Sequence, residues 1–293
     1  MRTLSSIILL LLVVLGVVVA RAPVYEYTQS SLASPPVSYN ESHALYIGRL
    51  VSVAYCHREH IEAWTCPPCA YVRRLPDLQV INDADHNFQA ILGFTGEHII
   101  VAFRGSMDLK NWIDNIRMLM MHPWPTTLPR VAVHRGFYAS YVSIQTQLLT
   151  GLESLRAMHP HAPLLLTGHS LGAAVAAITA VDLHVTRNLT AQRLLTFGEP
   201  RVGNAAFVAQ LLQVVPHPFR VTHWRDVVPN LPLEMQGYVH APQEVWYSAN
   251  SDAFKLCDPH DGEDPTCNKQ FWMTGNPLDH IVYLNLTMSH TQC

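Results

Sequence analysis

Near the middle of the chain a pentad of two glycines and a serine stands between two apolar runs. The order is Pro163-Leu164-Leu165-Leu166-Thr167, then Gly168-His169-Ser170-Leu171-Gly172, then Ala173-Ala174-Val175-Ala176-Ala177. The bare pattern G-x-S-x-G arises by chance in roughly one chain of this length in ten, with Gly and Ser each near ~7% of residues. Its context narrows the fold far more. A buried strand, a sharp turn and a helix of small residues is the layout that holds a serine in strained dihedrals and lifts its hydroxyl clear of a sheet. Gly168 and Gly172 lack the Cβ atoms that would collide where the helix crosses the strand. The helix N-terminus adds a free N–H and a positive dipole end beside the hydroxyl. The plainer reading is a glycine-rich turn with a bystander serine.

The alternation continues on both sides. Ile99–Phe103 is a fully apolar run of strand length, suited to a central strand. Phe137–Met158 reads as a long amphipathic helix, Leu164–Thr167 as a strand and Leu171–Val185 as a helix. Leu194–Phe197 is a strand, Ala205–Val214 a helix and Phe219–His223 a strand. Strands separated by helices predict a mostly parallel sheet covered on both faces. Earlier, Ser42–Cys56 is apolar at helical spacing, and Leu78–Ile81 and Phe88–Phe94 read as strands. Val245–Tyr247 and Ile281–Leu286 read as strands near the end. Of the 293 residues 49% are hydrophobic and 14% charged, enough apolar material for one large core. No repeat or linker divides the chain, so residues 21–293 are expected to form a single domain, with residues 21–40 as a surface arm.

Residues 1–20 read as a secretory signal peptide: Arg2, an apolar run from Ile7 to Ala20, and small residues at its end, with cleavage after Ala20. The rival is an uncleaved anchor, but the run is short of the ~20 residues a spanning helix needs. Export without permanent membrane insertion is the expectation. It makes the six cysteines, Cys56, Cys66, Cys69, Cys257, Cys267 and Cys293, candidates for three disulfides. Cys66-Pro67-Pro68-Cys69 lies in a Pro-rich loop, unlike a redox motif at a strand-to-helix turn. Asn40, Asn188 and Asn285 begin glycosylation sequons. The net charge of −3, with scattered Lys and Arg, gives no basic stripe and argues against nucleic acid as a partner. His57-Arg58-Glu59-His60 lacks the i, i+4 histidine pair of a zinc helix, and the acidic loop from Asp258 to Asp264 fails the EF-hand pattern. No metal or cofactor is expected.

A serine nucleophile needs a base, and the base needs an acid to orient it. In an open parallel sheet such groups gather at the carboxyl ends of strands. Asp226 stands just beyond Phe219–His223. Asp182, on a helix, and Asp252 and Asp258, in loops, are more simply solvated charges. Seventeen histidines make the base harder to choose. His280, before an apolar strand, preserves the order Ser, Asp, His and ranks slightly ahead of His240 and His260.

Several stretches together resemble the secreted class 3 lipase family, whose best-known members are filamentous-fungal triacylglycerol lipases. They are Phe103-Arg104-Gly105-Ser106, Asn111-Trp112-Ile113, His134-Arg135-Gly136-Phe137, the pentad, Phe197-Gly198-Glu199-Pro200-Arg201-Val202-Gly203-Asn204, and Asp226-Val227-Val228-Pro229-Asn230-Leu231-Pro232. Pro67-Pro68 and Glu199 depart from the family's pattern, outside the triad. The resemblance implies an α/β-hydrolase fold with a short helical lid, and a triad of Ser170, Asp226 and His280. It implies disulfides Cys56–Cys293, Cys66–Cys69 and Cys257–Cys267.

An oxyanion hole needs donors already aimed at the developing charge. The Leu171 N–H, next after the nucleophile, is one. The loop after Ile99–Phe103 should supply the other, and Ser106 sits there; in similar lipases this serine offers its N–H and its hydroxyl. Leu109, Trp112, Ile113 and Ile116 then fall at i, i+3, i+4 and i+7. This stripe suits an ordinary surface helix; the resemblance makes it the lid. The expected protein is a monomeric, secreted triacylglycerol lipase working at an oil–water interface. A feruloyl-type esterase or phospholipase A1 on the same fold is the alternative, and a catalytically dead binding protein is the reading outside enzymes.

Overall fold

Alternation of side chains along the strands sets the architecture. The computed structural model describes residues 38–108 and 119–293. The expected signal peptide, nearly all of the expected surface arm, and Leu109, Trp112, Ile113 and Ile116 lie outside the described residues.

Eight strands form the main sheet: β1 (Gln79–Asp83), β2 (Phe88–Phe94), β3 (Ile99–Phe103), β6 (Leu164–His169), β7 (Arg193–Phe197), β8 (Phe219–His223), β9 (Glu244–Tyr247) and β10 (Phe254–Leu256). They lie side by side in that order. β3, β6, β7, β8 and β9 run parallel, while β1, β2 and β10 extend the sheet antiparallel at its edges. This is the α/β-hydrolase fold. Alternate residues feed opposite cores: Val101, Leu164, Leu166 and Leu194 pack on one face, and Ile100, Leu165, Leu195 and Val221 on the other.

Helices cover both faces. α1 (Glu41–Val53), capped by the Asn40 side chain, supplies Ile47, Leu50 and Val51 to one core. α2 (Arg58–Ala63) is a short turn that periodicity did not predict. On the other face lie α3 (Arg135–Met158), α4 (Leu171–Arg187) and α5 (Ala205–Val214), the last capped by Asn204. Two small hairpins complete the described elements: β4 (Met120–Met121) with β5 (Val133–His134), and β11 (Val282–Tyr283) with β12 (Leu286–Thr287). The continuous strand expected over Ile281–Leu286 is therefore corrected. Leu284 and Asn285 both take positive φ, and that reversal folds the segment into a hairpin.

Disulfides join Cys56 to Cys293, Cys66 to Cys69 and Cys257 to Cys267, the pairing the resemblance implies. Asn40, Asn188 and Asn285 are all exposed. Asp182 is not the solvated charge that its helical position suggested. It is buried and accepts hydrogen bonds from Trp124 Nε1 at 2.8 Å, the Tyr141 hydroxyl at 2.5 Å and Gln145 Nε2 at 3.2 Å, tying α4 to α3.

Candidate active site

Ser170 is the residue between β6 and α4, with φ 58° and ψ −127°. A non-glycine residue avoids that region unless its surroundings impose it. Here they do. The Ser170 N–H donates to Phe197 O at 3.0 Å, while α4 closes directly over the strand ends. A Cβ on Gly172 would stand 2.6 Å from Arg104 O, and one on Gly168 would stand 2.5 Å from the Gly172 carbonyl carbon. The two glycines thus permit a helix-to-strand approach that any side chain would block. Leu171 opens α4, so its N–H has no acceptor within the helix.

Across the turn, Asp226 follows β8 and is fully buried. Its Oδ1 accepts the Val228 N–H at 2.8 Å, and its Oδ2 meets His280 Nδ1 at 2.7 Å. The Tyr283 hydroxyl donates to the same Oδ2. A buried carboxylate needs such partners to offset its lost hydration. Tyr283 was not singled out by sequence reasoning, although it lies three residues beyond His280. Burial, followed by the Asp226 charge, holds its hydroxyl protonated far above the usual tyrosine range.

His280 sits in a 3-10 turn, Pro277–Ile281, that the Asn276 side chain caps through Leu278 N. With Nδ1–H directed at Asp226, the lone pair of this imidazole lies on Nε2. His280 Nε2 and Ser170 Oγ are both buried, and neither hydrogen-bonds to a protein atom. The two are not bonded to each other in this state; such contacts commonly tighten only when substrate binds. The backbone nevertheless brings the histidine close. A Cβ on Gly198, next to the Phe197 carbonyl that holds Ser170, would stand 2.8 Å from His280 Cε1.

The rival residues lie elsewhere. His240 is buried and donates from Nε2 to Pro229 O at 2.7 Å; burial, with Arg220 and Arg201 nearby, pushes it well down and keeps it neutral. His260, Asp252 and Asp258 are exposed. Ser106 is half-buried in the loop after β3. That loop abuts the turn: a Cβ on Gly105 would stand 2.8 Å from His169 O and 2.9 Å from Ser170 Cβ. Among the described residues, one grouping has metal-ligand spacing, Glu244 with Cys257 and Cys267. Those two sulfurs share a disulfide and are not thiolate ligands.

A strained serine at a helix N-terminus, with a carboxylate-bonded imidazole across the turn, is an arrangement suited to acyl transfer. Comparison with known proteins points the same way. Residues 100–236 match the family model described as lipase (class 3). A lipase from Rhizomucor miehei is 30% identical over 255 residues, covering 82% of this chain and 68% of that protein. The secreted mono- and diacylglycerol lipase A of Penicillium cyclopium is 35% identical over 159 residues, covering 54% of this chain and 51% of its own length. A solved triacylglycerol lipase, whose catalytic centre is a serine protease triad, superimposes with a TM-score of 0.76 at 29% identity, covering 85% of this chain and 96% of that one.

Proposed function

Because the chain belongs to the class 3 lipase family, we propose that it is a secreted triacylglycerol lipase in which Ser170 is the nucleophile, His280 its base and Asp226 the acid that orients His280. The observation that carries this reading is the pairing of a buried Asp226–His280 bond with an unpartnered His280 Nε2 and an unpartnered Ser170 Oγ at a positive-φ turn. Residues 1–20 are the export signal, and residues 21–293 are one catalytic domain.

In this mechanism His280 Nε2 takes the Ser170 proton as Oγ attacks the ester carbonyl carbon. The carbonyl oxygen becomes an oxyanion, held by the Leu171 N–H and by Ser106 through its N–H and hydroxyl. Asp226 stays ionised and stabilises the imidazolium without taking its proton. As the oxyanion collapses, His280 gives that proton to the departing glycerol oxygen, leaving an acyl-serine. Water, deprotonated by His280, then attacks the acyl carbon, and His280 returns that proton to Oγ as the fatty acid and free Ser170 are released. Leu109, Trp112, Ile113 and Ile116, which the resemblance assigns to a lid, lie outside the described residues; an oil surface would favour the open state of such a lid by solvating its apolar side chains. Similarity to the Rhizomucor miehei triacylglyceride lipase and to the Penicillium cyclopium mono- and diacylglycerol lipase supports an ester of glycerol as substrate.

Ser170→Ala is expected to abolish labelling by a fluorophosphonate and to lower ester turnover at least ~10³-fold, with the melting temperature kept. Persistent labelling in that variant would overturn the assignment. For the substrate, the rate on tributyrin should jump as its concentration passes the solubility limit. A smooth saturation curve through that limit would count against a lidded lipase and favour a soluble-ester hydrolase.

A further inference from the structure

Beneath the turn that carries Ser170 lies a chain of three buried hydrogen bonds that joins the oxyanion loop to the backbone of His280. The Gly105 N–H donates to the Tyr55 hydroxyl at 3.1 Å. That hydroxyl lies 2.6 Å from His169 Nδ1. His169 Nε2 lies 2.8 Å from the carbonyl oxygen of His280. Tyr55 and His169 are both buried.

The chemistry of the end groups fixes the direction of every proton. A carbonyl oxygen only accepts, so His169 Nε2 carries the hydrogen. In the neutral ring Nδ1 is then the acceptor, and the Tyr55 hydroxyl donates to it. The same hydroxyl oxygen accepts from Gly105. Each polar atom of the relay is satisfied once, and only the neutral imidazole satisfies all of them. Burial and the neighbouring His280 push His169 in that same direction, well below the ordinary histidine range.

Position gives the relay its meaning. Gly105 precedes Ser106, and its Cα lies against Ser170 Cβ so closely that no side chain fits. His169 is the middle residue of Gly168-His169-Ser170, and its ring lies 4.4 Å from the His280 ring, tilted by 32°. One side chain therefore touches the loop that presents His280 while being bonded to the nucleophile's own strand. Through Tyr55 it also reaches the loop that presents Ser106.

Resting on the assignment of Ser106, Ser170 and His280 above, we propose that Tyr55 and His169 are positioning residues. They register the oxyanion donor, the nucleophile and the base against one another through a neutral Gly105→Tyr55→His169→His280 relay. Neutrality is part of the function. An imidazolium at His169 would sit 4.4 Å from the imidazolium that forms on His280 as Ser170 is deprotonated, and would oppose it. Neither residue exchanges a proton with substrate.

The test uses the full secreted chain and a dissolved short-chain p-nitrophenyl ester, so that interfacial steps do not enter. Tyr55→Phe removes only the oxygen that joins Gly105 to His169. The expected result is a kcat lowered 10- to 100-fold, with KM within twofold of the parent. The rate of fluorophosphonate labelling at Ser170 should fall in parallel. His169→Gln keeps an N–H for the His280 carbonyl and an oxygen for Tyr55, and should retain several-fold more activity than His169→Ala at temperatures where both are folded by circular dichroism. Parental kcat in folded Tyr55→Phe, or equal losses in the Gln and Ala variants, would overturn the relay. Ser170→Ala, run alongside, separates the two layers of the argument. If it still turns over ester, the site assignment itself fails; if it is inactive while Tyr55→Phe is fully active, only the relay fails.

Discussion

Glu199 is a buried acid whose partners do not complete it. One carboxylate oxygen, Oε2, has no hydrogen-bond partner. Burial pushes the carboxyl up to about 7, against the pull of the Arg220 guanidinium and the Thr196 hydroxyl. Arg220 cannot serve it fully, because Glu244 lies 3.8 Å from the same guanidinium and is itself pushed up by burial. Since the folded value exceeds the ordinary 4.5, the native state holds this proton more tightly than the unfolded chain does. The stabilisation is complete below pH 4.5 and is lost as pH rises through 7. Glu199→Gln removes the titration, and Arg220 retains Glu244 and the backbone carbonyls of Ala241 and Gly262. At pH 8 the variant should exceed the parent by up to about 3 kcal/mol, and at pH 5 by far less. Urea midpoints at the two pH values measure this; a gap that does not change with pH would refute it. At this scale the sequence was legible where a residue type had one job. Ser170 needed its flanking glycines, and Asp226 needed a strand end. The roles of Tyr55, Tyr283 and Glu199 were hidden because each depends on partners more than 20 residues away, such as Asp226 for Tyr283 and His169 for Tyr55.

At the scale of elements, the seam between α3 and α4 turns on Asp182. Its carboxylate collects the Trp124 indole and the Tyr141 phenol inside the core and the half-buried Gln145 amide. Removing it leaves the buried Trp124 indole and Tyr141 hydroxyl without that acceptor, each worth roughly 1–3 kcal/mol when stranded, while Gln145 Nε2 keeps the Tyr141 oxygen. Asp182→Ala should therefore cost about 3 kcal/mol or more and lower the melting temperature by some ~6–12 °C in a domain of this size. The KM for a dissolved ester should stay within twofold at a temperature where the variant is folded, because α4 carries Leu171 at its far end. Calorimetry with steady-state kinetics checks both halves, and an unchanged melting temperature would show that the carboxylate is dispensable. The same helix explains what periodicity could and could not predict. Runs such as Leu164–Thr167 and Ala173–Ala177 gave clear elements because their whole surface is buried. Asp182 was misread because a single carboxylate within a helix looks solvated until its neighbours are known. The β11–β12 hairpin was missed because an Asn after Leu takes positive φ here without a glycine to announce it.

At the scale of the molecule, segments next in the chain to the triad residues carry half of the ten large apolar side chains that the described surface exposes. Met235 is 88% exposed, Met273 75% and Leu278 71%, with Trp272 and Leu119 more than half exposed. They surround the site along the chain. Leu278 is two residues before His280, Gly275 packs on Val227 next to Asp226, and Met120, after Leu119, reaches Gly237. Charges between them are mutually paired: Lys269 with Glu234 at 2.8 Å and Arg225 with Asp279 at 3.7 Å. Single exposed apolar residues are ordinary on any surface, but several in segments next to the reacting groups suit a contact with an apolar surface. A rim with paired charges gains little from anionic headgroups and gains most from burying Trp and Met in an uncharged lipid surface, about 25 cal/mol per Å² removed from water. The double substitution Trp272→Ser with Met273→Ser should therefore lower the rate on emulsified triglyceride 5- to 50-fold, a loss of about 1–2 kcal/mol of surface affinity. Its kcat on a dissolved p-nitrophenyl ester should match the parent's, because neither side chain has a place in the acyl-transfer steps. Adding anionic phospholipid to the emulsion should not restore the rate, since Lys269 and Arg225, the described basic residues beside these side chains, are already paired with carboxylates. Equal losses on dissolved and emulsified substrate would mean that these residues support the fold of the His280 loop, and that the lipid surface is met elsewhere.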